Sequence, residues 1–419
     1  MGAPGTDAGV HTDVVIVGAG LAGLAAADKL RGTGLRVDVV EASTRIGGRA
    51  FGWYWPAADR MIDLGGTWLL PGFDTTRSLV RELGLDLYDS PAADRYLTHF
   101  RSGIRAQQYP QDDAALTGSL ELLENLSAGE PATAQSVLEQ AGLAPDIRDW
   151  HAATQRYLAG APLEDLDAAH LLLDSTELRD PEHYRSQIRG TTAVLAAGLL
   201  GRSEARLHLE APVRDIVRTA AGYTVHAGGE VFQARAVVLA VPLNTLKEIT
   251  VPGDLLGPLA PFLSGGQPGA SRKDWFVLDG ITGHCRVFAS EGPFGYFRTE
   301  AHLPDGGTLA VGLAPAAEGV PDAGELEAGI RTYLPDARVR AHFSYDWSAD
   351  PWARGTWLAP PVGYTAALAA GLPESTGFAL AGGDVSDAFP GTLEGAVVTG
   401  RRAADEVRAH LAASPAVVP

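Results

Sequence analysis

The sequence predicts an α/β fold in which one domain, built on a parallel sheet, is assembled from separate segments and interrupted by an inserted α+β domain. A strand, a glycine turn, a helix and a second strand open the chain at residues 13–43. A strand and a long helix close it at residues 378–413. Helical segments and short strands occupy the residues between, and 419 residues exceed what one ordinary hydrophobic core holds.

The opening segment has the pattern of a nucleotide-binding turn. The apolar run DVVIVGAG predicts a strand that ends in glycines, and LAGLAAADKLRGTG predicts the helix that follows. Gly18 allows the tight turn, Gly20 lets the backbone approach a pyrophosphate, and Gly23 lets the helix pack closely on the strand. Glu41 ends the next strand, where a carboxylate can accept hydrogen bonds from both hydroxyls of a ribose. These features together predict a Rossmann-like dinucleotide site.

The rest of the chain divides into a helical block, a region of strands and an α/β tail. Residues 76–200 are mostly helical in pattern, 206–242 read as short strands, and 250–350 contain mixed strands. We therefore expect a nucleotide-binding domain and a substrate-binding domain with a mixed sheet and a helical block. The first is predicted at 1–75, 195–250 and 365–419, and the second at 76–194, which is its helical part, and 251–364.

Composition excludes several classes of function. A net charge of −18 argues against nucleic acid binding, which needs clustered lysine and arginine. The single cysteine, Cys285, excludes an intramolecular disulfide and a cysteine-rich metal cluster, and we predict no metal site. The N-terminus has no secretory signal pattern, and no apolar run is long enough to span a membrane. We therefore expect a cytoplasmic protein with no membrane partner.

A second glycine turn, rich in arginine, favours FAD over NAD. The stretch ASTRIGGRA contains Arg45, Gly48 and Arg49, and its guanidinium groups can neutralise pyrophosphate charge. Simple NAD dehydrogenases do not need such a turn. A further glycine pair, Gly65 and Gly66, lies in MIDLGGTWL. Any one of these segments could be a surface turn, but together they are specific.

The motifs resemble, nearly end to end, those of the flavin-containing amine oxidases, the FAD enzymes built like monoamine oxidase. The resemblance is carried by VVIVGAGLAGL, VVEASTRIGGRA, DLGGTWL, APVRDI, AVVLAVPLNTL, DWSADPWARGTWLAPPVG and ALAGGDVSDAFPGTLEGAVVTGRRAA. Their spacing looks most like the 6-hydroxynicotine oxidase branch. The resemblance implies a Rossmann-like FAD-binding domain built from discontinuous segments, with the substrate domain inserted.

The resemblance also implies which residues bind FAD. They are Gly18, Gly20, Gly23, Glu41, Arg45, Gly48, Arg49, Gly65, Gly66, Thr67, Val213, Trp352, Asp384, Thr392 and Leu393. Val213 would meet the adenine edge through its backbone, and Asp384, where the family usually has glutamate, would contact the ribityl–phosphate chain. A simple turn or helix-capping role is the alternative for Asp384. Thr392 and Leu393 would open the last helix, whose N–H groups stabilise negative charge on the reduced flavin.

A non-covalent flavin is expected. Some relatives attach FAD through a cysteine just before an aromatic residue. Thr356 stands at that position here, directly before Trp357, and Cys285 is far away in sequence.

The resemblance implies an aromatic substrate cage on the open face of the flavin. Trp357 matches one wall and is assigned a catalytic role, whereas the other wall would fall on Thr392, with Phe389 nearby. A one-sided cage leaves room for a bulky substrate. The predicted substrate-binding residues are Trp68, Tyr184, Tyr296, Trp357 and Phe389, although aromatic residues more often serve packing.

Lys273 is the second predicted catalytic residue. In the family one lysine binds flavin N5 through a water, and PGASRK fits that motif. A partly buried lysine there could have a lowered pKa and assist reoxidation. The alternative is an exposed lysine at a strand edge, which the neighbouring Arg272 and Asp274 favour.

These observations predict an FAD-dependent amine oxidase. It would oxidise the C–N bond of a small secondary or cyclic amine by hydride transfer to flavin N5, and dioxygen would reoxidise the flavin to give hydrogen peroxide. A homodimer is one option for its assembly.

Two other functions stay open at this stage. An amino-acid oxidase or a desaturase could use the same fold, and the former needs a cavity arginine such as Arg185, Arg189 or Arg298. A flavin-binding protein without turnover is the other alternative.

Overall fold

The computed structural model describes residues 9–107, 113–127, 131–172, 184–263, 265–316, 319–371 and 376–413. By internal contacts the chain divides into two compact units. The first unit comprises Met1–Ala50, Ala193–Gly266 and Ala370–Pro419, and the second comprises Phe51–Thr192 and Gln267–Ala369. Residues 51–75, expected in the nucleotide-binding domain, lie in the second unit. Which unit binds cofactor and which binds substrate stays a prediction.

The strands and α-helices of the described residues have the following bounds. The strands are β1 Val10–Val17, β2 Val37–Val40, β3 Gly52–Trp55, β4 Arg60–Asp63, β5 Leu87–Asp89, β6 Arg95–Phe100, β7 Gly103–Gln107, β8 Ser186–Ile188, β9 Arg206–His208, β10 Val213–Thr219, β11 Gly222–Ala227, β12 Glu230–Leu239, β13 Ser271–Asp279, β14 Cys285–Ala289, β15 Tyr296–His302, β16 Thr308–Pro315, β17 Arg338–Asp346 and β18 Phe378–Leu380. The helices are α1 Leu21–Lys29, α2 Asp74–Glu82, α3 Ala114–Ser127, α4 Ala134–Gln140, α5 Pro145–Ala159, α6 Thr192–Arg202, α7 Ala260–Leu263, α8 Ala323–Arg331, α9 Tyr364–Ala369 and α10 Leu393–Ala413.

The first unit is organised around a parallel sheet. β18, β12, β1, β2 and β9 pair in that order and all run parallel, while β10 and β11 extend the sheet as an antiparallel pair beside the start of β12. Val14, Val15, Ile16 and Val17 of β1 are buried, as expected of a strand covered on both faces. The parallel arrangement brings the carboxyl ends of β1 and β2 to one edge, where nucleotide sites form in such sheets.

The second unit contains a seven-stranded mixed sheet in the order β17–β13–β16–β15–β14–β6–β7. All of its pairings are antiparallel except the one between β14 and β6. One face packs against α8, through Phe276 and Leu326 among others, and the opposite face packs against the β3–β4 hairpin through Trp275 and Ile62. This arrangement is the mixed sheet that the sequence predicted for the inserted region.

The helical block of the second unit surrounds its own apolar clusters. Leu123 of α3, Val137 of α4 and Ala159 of α5 share one of them. Trp150 of α5 and Tyr296 of β15 share another, so α5 lies against the sheet. Within the described residues, no helix is both long and apolar enough to cross a membrane.

Candidate functional site

The turn between β1 and α1 forms an anion cradle in the first unit. Gly18 has φ of 100°, and a Cβ there would lie 2.6 Å from the Ala240 carbonyl oxygen. A Cβ on Gly23 would lie 1.9 Å from the Gly18 carbonyl oxygen, so both positions require glycine. Gly20 precedes α1, which has no side-chain cap, and a Cβ placed on Gly20 would meet no atom within 4 Å. Free N–H groups at an open helix start favour a phosphate.

Glu41 lies beside this cradle, with its carboxylate already oriented. Its Oε2 accepts a hydrogen bond from Ala19 N at 2.7 Å, and its Oε1 accepts from Ser43 N at 2.9 Å and Ser43 Oγ at 2.7 Å. A carboxylate has about four acceptor positions, so one remains on Oε2 for a ribose hydroxyl. The predicted acid is therefore held in place by the glycine turn itself.

The second glycine turn and the C-terminal strand meet through an ion pair. Arg49 makes two contacts of 2.9 Å with the buried Asp384, one to each carboxylate oxygen. Leu243 N donates to Asp384 Oδ2 at 3.0 Å. Arg45 Nη1 donates to Gly48 O at 2.8 Å and so closes its own turn. Asp384 thus fixes the Arg49 guanidinium, a contact that sequence reasoning did not anticipate.

The remaining predicted cofactor residues are spread over both units. Thr392 caps α10: its Oγ1 accepts from Gly395 N at 3.0 Å and donates to Phe389 O at 2.9 Å, so the helix begins at Leu393. Val213 is the first residue of β10, at an irregularity in its register. Trp352, in the second unit, is 38% exposed.

In the second unit, Lys273 lies in the interior of the mixed sheet. Its strand, β13, has β16 on one side and β17 on the other, and Lys273 pairs with Leu313 and Tyr345. The residue is 4% exposed. An exposed lysine at a strand edge, the alternative drawn from the sequence, does not describe this position.

The neighbours of Lys273 point to the opposite face of the sheet, because successive side chains alternate along a strand. Arg272 Nε donates to Asp274 Oδ2 at 2.9 Å, and His342 Nε2 lies 2.9 Å from Asp274 Oδ1. All of these charged groups are therefore separated from Lys273 by the sheet. Lys273 shares its face with Trp275.

Lys273 contacts residues from two of the predicted groups. Its Nζ donates to Gly65 O at 3.0 Å and to Thr67 Oγ1 at 2.5 Å. It also lies 4.9 Å from the ring centroid of Trp68 and 5.3 Å from that of Trp275. The structure therefore brings together the predicted catalytic lysine, two predicted cofactor residues and a predicted substrate residue.

The surroundings of Lys273 lower the pKa of its amine toward neutral pH. Burial lowers the pKa of Lys273 to about 8, against the attraction of Asp63 and Glu300. Burial also raises the pKa of Asp63 to about 7, against the attraction of Lys273. Arg298 further lowers the pKa of Lys273 by charge repulsion. Such shifts are common at functional sites.

The predicted substrate residues of the second unit form a row of aromatic contacts. Trp68 and Tyr184 meet edge to face with centroids 5.4 Å apart, and Tyr184 lies 6.4 Å from Tyr296. Trp357 packs against the apolar cluster that contains Tyr296. Phe389, the fifth predicted residue, belongs to the first unit, in the turn before α10.

Sequence reasoning missed polar groups on α5. Trp150 Nε1, Thr154 Oγ1 and Gln155 Oε1 are buried, and within the described residues none has a hydrogen-bond partner. Trp150 and Thr154 are four residues apart and so share one side of the helix. In the sequence, these residues could have been recognised as polar residues on the apolar side of an amphipathic helix. The same reasoning missed Asp63 and Glu300 as partners of Lys273.

The three candidate carboxylate-binding arginines have other roles. Arg298 forms an ion pair with Glu300 at 3.0 Å and donates to Ser90 Oγ at 2.6 Å. Arg185 Nε donates to Ser90 O at 2.9 Å. Arg189 is exposed and lies over the Tyr88 ring. The two buried or half-buried guanidinium groups are thus already bound by protein groups.

Comparison with known proteins gives a family and a fold. A family described as flavin containing amine oxidoreductases matches residues 21–265 and 291–408. The chain is 24% identical to pseudooxynicotine dehydrogenase from Pseudomonas sp, over 96% of this chain and 87% of that protein. It is 25% identical to (S)-6-hydroxynicotine oxidase from Paenarthrobacter nicotinovorans, over 94% and 99% respectively. Cyclohexylamine oxidase from Brevibacterium oxydans IH-35A superposes with a TM-score of 0.80 at 22% identity, over 96% of this chain and 99% of that one.

Proposed function

Because the chain belongs to the flavin-containing amine oxidoreductase family, with FAD as its cofactor, we propose that it oxidises the C–N bond of a small secondary or cyclic amine and uses dioxygen as the final electron acceptor. The observation that carries this proposal is the buried Lys273, held against Gly65, Thr67 and Trp68 beside a row of aromatic side chains. In this proposal the first unit binds the ADP part of FAD, and the second unit binds the amine.

The residues of the first unit fit the nucleotide part of FAD. The open side of Gly20 and the uncapped start of α1 suit a pyrophosphate, and Glu41 retains an acceptor for a ribose hydroxyl. Arg49, which is predicted to bind FAD, is held by its ion pair with Asp384. When bound, the flavin supplies the hydride acceptor for the carbon next to the amine nitrogen.

The chemistry of two residues supports non-covalent binding of FAD. Thr356, at the position where some members of the family carry the attaching cysteine, has no thiol. Cys285 is 1% exposed in a sheet core, and burial raises the pKa of its thiol to about 11, so it is an inert thiol rather than a nucleophile. We predict that acid precipitation of the FAD-loaded protein leaves the flavin in the supernatant. Flavin absorbance in the washed pellet would contradict this.

The aromatic row supports oxidation of a neutral amine. Trp68, Tyr184 and Tyr296 offer apolar faces that exclude water and orient the C–H bond next to nitrogen. Departure of a hydride is assisted by the nitrogen lone pair, which a protonated amine lacks. An apolar environment favours the neutral form because it desolvates the cation.

Lys273 is suited to hold and release a proton beside the reacting groups. A neutral amine has two N–H bonds, and Gly65 O and Thr67 Oγ1 supply two acceptors for them. The lone pair of Nζ then stays available to bind a water or a proton. A pKa of about 8 allows both states near neutral pH.

A secondary or cyclic amine is favoured by two observations. Relatives are named for pseudooxynicotine and 6-hydroxynicotine, and a protein of the same fold is named for cyclohexylamine. On α5, the buried polar atoms Trp150 Nε1, Thr154 Oγ1 and Gln155 Oε1 have no hydrogen-bond partner among the described residues. They lie in the same part of the second unit as Tyr296, since Trp150 and Tyr296 share a cluster. They would bind a polar group of the substrate distant from its amine. An amino acid is disfavoured, since Arg298 and Arg185 are bound elsewhere.

The acceptor is tested by comparing turnover in air with turnover under argon plus an artificial dye acceptor. We expect turnover of a secondary or cyclic amine in air, with one hydrogen peroxide formed per amine consumed. Turnover that occurs with the dye alone, without peroxide in air, would overturn the dioxygen part of the proposal. This control matters because one relative is named a dehydrogenase and another an oxidase.

A further inference from the structure

A polar pocket of about 110 Å³ lies in the second unit beside Asp63. Besides Asp63 its walls include Tyr88, Gln187, Thr191, Trp275 and Glu300. Met61 and Arg189, which also line it, are exposed, so the pocket reaches solvent on that side. None of these residues belongs to the predicted cofactor or substrate groups.

We propose that Asp63 is a positioning residue for Lys273: its carboxylate, hydrated through this pocket, sets the protonation state of the lysine amine. This inference deepens the proposed function and rests on it for its catalytic meaning. Asp63 does not itself touch the reacting atoms in this account.

The backbone and side chain of Asp63 are fixed by hydrogen bonds. Its Oδ1 accepts from Thr192 N at 3.0 Å and from Thr192 Oγ1 at 2.7 Å, and its carbonyl oxygen accepts from Trp275 Nε1 at 3.0 Å. Two residues later, the Gly65 carbonyl oxygen accepts from Lys273 Nζ. The β4 end thus presents both a hydrogen-bond acceptor and a negative charge to the same amine.

Three charged side chains act on Lys273 from the elements packed around it. Asp63 from β4 and Glu300 from β15 attract the ammonium form, and Arg298 from β15 repels it. The aromatic rings of Trp68 and Trp275 complete its surroundings. Arg298 forms an ion pair with Glu300 at 3.0 Å, so its charge partly offsets that of Glu300 at the amine. Lys273 in turn acts on the Asp63 carboxylate, so the two groups are electrostatically linked.

The pocket polar groups connect Asp63 and Glu300 to solvent. Tyr88 Oη donates to Gln187 Oε1 at 3.0 Å, and Gln187 Nε2 donates to Glu300 Oε2 at 2.9 Å. Thr191 Oγ1 is buried at the pocket wall and has no partner among the described residues. Arg60 and Arg189, which also line the pocket, lower the pKa of Tyr88 by charge attraction, against the effect of burial. A polar space of this size holds water, which lets the carboxyl exchange protons with solvent.

The chain offers a direct measurement, because it contains only three lysines, Lys29, Lys247 and Lys273. Protein labelled with ¹³C at lysine Cε gives three NMR signals, which Lys29→Arg and Lys247→Arg assign. In the substrate-free wild type we expect Lys273 to titrate near pH 8. Asp63→Asn keeps an oxygen acceptor for Thr192 and removes the charge.

We expect Asp63→Asn to lower the Lys273 midpoint by about one pH unit or more, as loss of a nearby opposite charge does. Glu300→Gln should lower it as well, whereas the matched control Asp274→Asn, a buried carboxylate on the other face of β13, should leave it unchanged. An unchanged midpoint in Asp63→Asn, or an equal shift in Asp274→Asn, would overturn the inference. If the midpoint shifts as expected but no amine reduces the flavin, the proposed function alone fails.

Discussion

At the scale of the residue, a one-position difference decides the chemistry of β13. Arg272 and Lys273 are adjacent cations, but strand alternation places Arg272 with Asp274 on one face and Lys273 with Trp275 on the other. The sequence motif identified Lys273, and it could not identify the side chains that face it. Asp63 and Glu300 are 210 and 27 positions away in the chain, so their proximity to Lys273 depends on the tertiary fold.

The role of Lys273 is testable by Lys273→Met, which keeps most of the length of the side chain and removes its amine. We expect FAD to stay bound and reoxidation or turnover to slow tenfold or more, the effect of losing one positioned catalytic group. Stopped-flow absorbance of the reduced flavin mixed with dioxygen measures this directly. The exposed Lys247→Met is the matched control and should keep the wild-type rate. Wild-type kinetics in Lys273→Met would return Lys273 to a purely structural role.

At the scale of the element, the sequence predicted best those helices and strands that are specified by residues close together in the chain. The β1–turn–α1–β2 unit and the final helix were both predicted from glycine spacing and apolar periodicity. Within the predicted helical block, the stretch DLDAAHLLLDSTEL at residues 165–178 has a helical pattern. It lies partly outside the described residues, and its described part contains a short 3-10 helix at Ala168–Leu172. Helix α5 lies in the predicted helical block, and polar residues such as Thr154 and Gln155 lie on its buried side.

The mixed sheet also contains pairings that a sequence pattern does not reveal. β6 joins the sheet by pairing with β14, as Leu97 with Val287, some 190 positions along the chain. Such pairings depend on long-range packing, and neither strand carries a signal for its partner. The prediction of mixed strands at 250–350 was therefore correct, but it did not include β6 and β7, which belong to the same sheet.

The glycine turn of α1 yields a prediction for the whole element. Gly23→Ala places a Cβ 1.9 Å from the Gly18 carbonyl oxygen, so α1 must shift away from β1. We expect weaker FAD binding by tenfold or more and a lower melting temperature. Gly201→Ala in α6 is the matched control, since a Cβ there meets no atom within 4 Å. That variant should be as stable as the wild type or gain up to about 1 kcal/mol. Fluorescence titration with FAD measures the first effect, and equal affinities in both variants would contradict it.

At the scale of the whole molecule, a buried histidine makes stability depend on pH. Both ring nitrogens of His170 lack a partner among the described residues, and burial lowers its pKa from 6.5 to about 4. Between these values the unfolded state binds a proton that the folded state does not, so stability falls as pH falls through this window. The loss amounts to about 3 kcal/mol by pH 4.

Replacing His170 with leucine should remove this loss. We expect His170→Leu to match or exceed the wild-type stability at pH 7, because it removes an unsatisfied buried polar group. Its advantage over the wild type should grow as the pH falls from 7 to 4.5. Urea unfolding at several pH values measures the difference, which isolates His170 from groups such as Asp63 that titrate in both proteins. A constant difference across this range would show that His170 is not buried neutral.

The most direct test of the whole account is reduction of the flavin by an amine in the absence of oxygen. Purified protein, loaded with FAD, is mixed anaerobically with a panel of secondary, cyclic and primary amines and amino acids while its visible spectrum is recorded. We predict a yellow protein whose flavin absorbance is lost with a secondary or cyclic amine and is unchanged with amino acids. A colourless protein that does not take up FAD, or a yellow one whose flavin no amine reduces, would contradict the account.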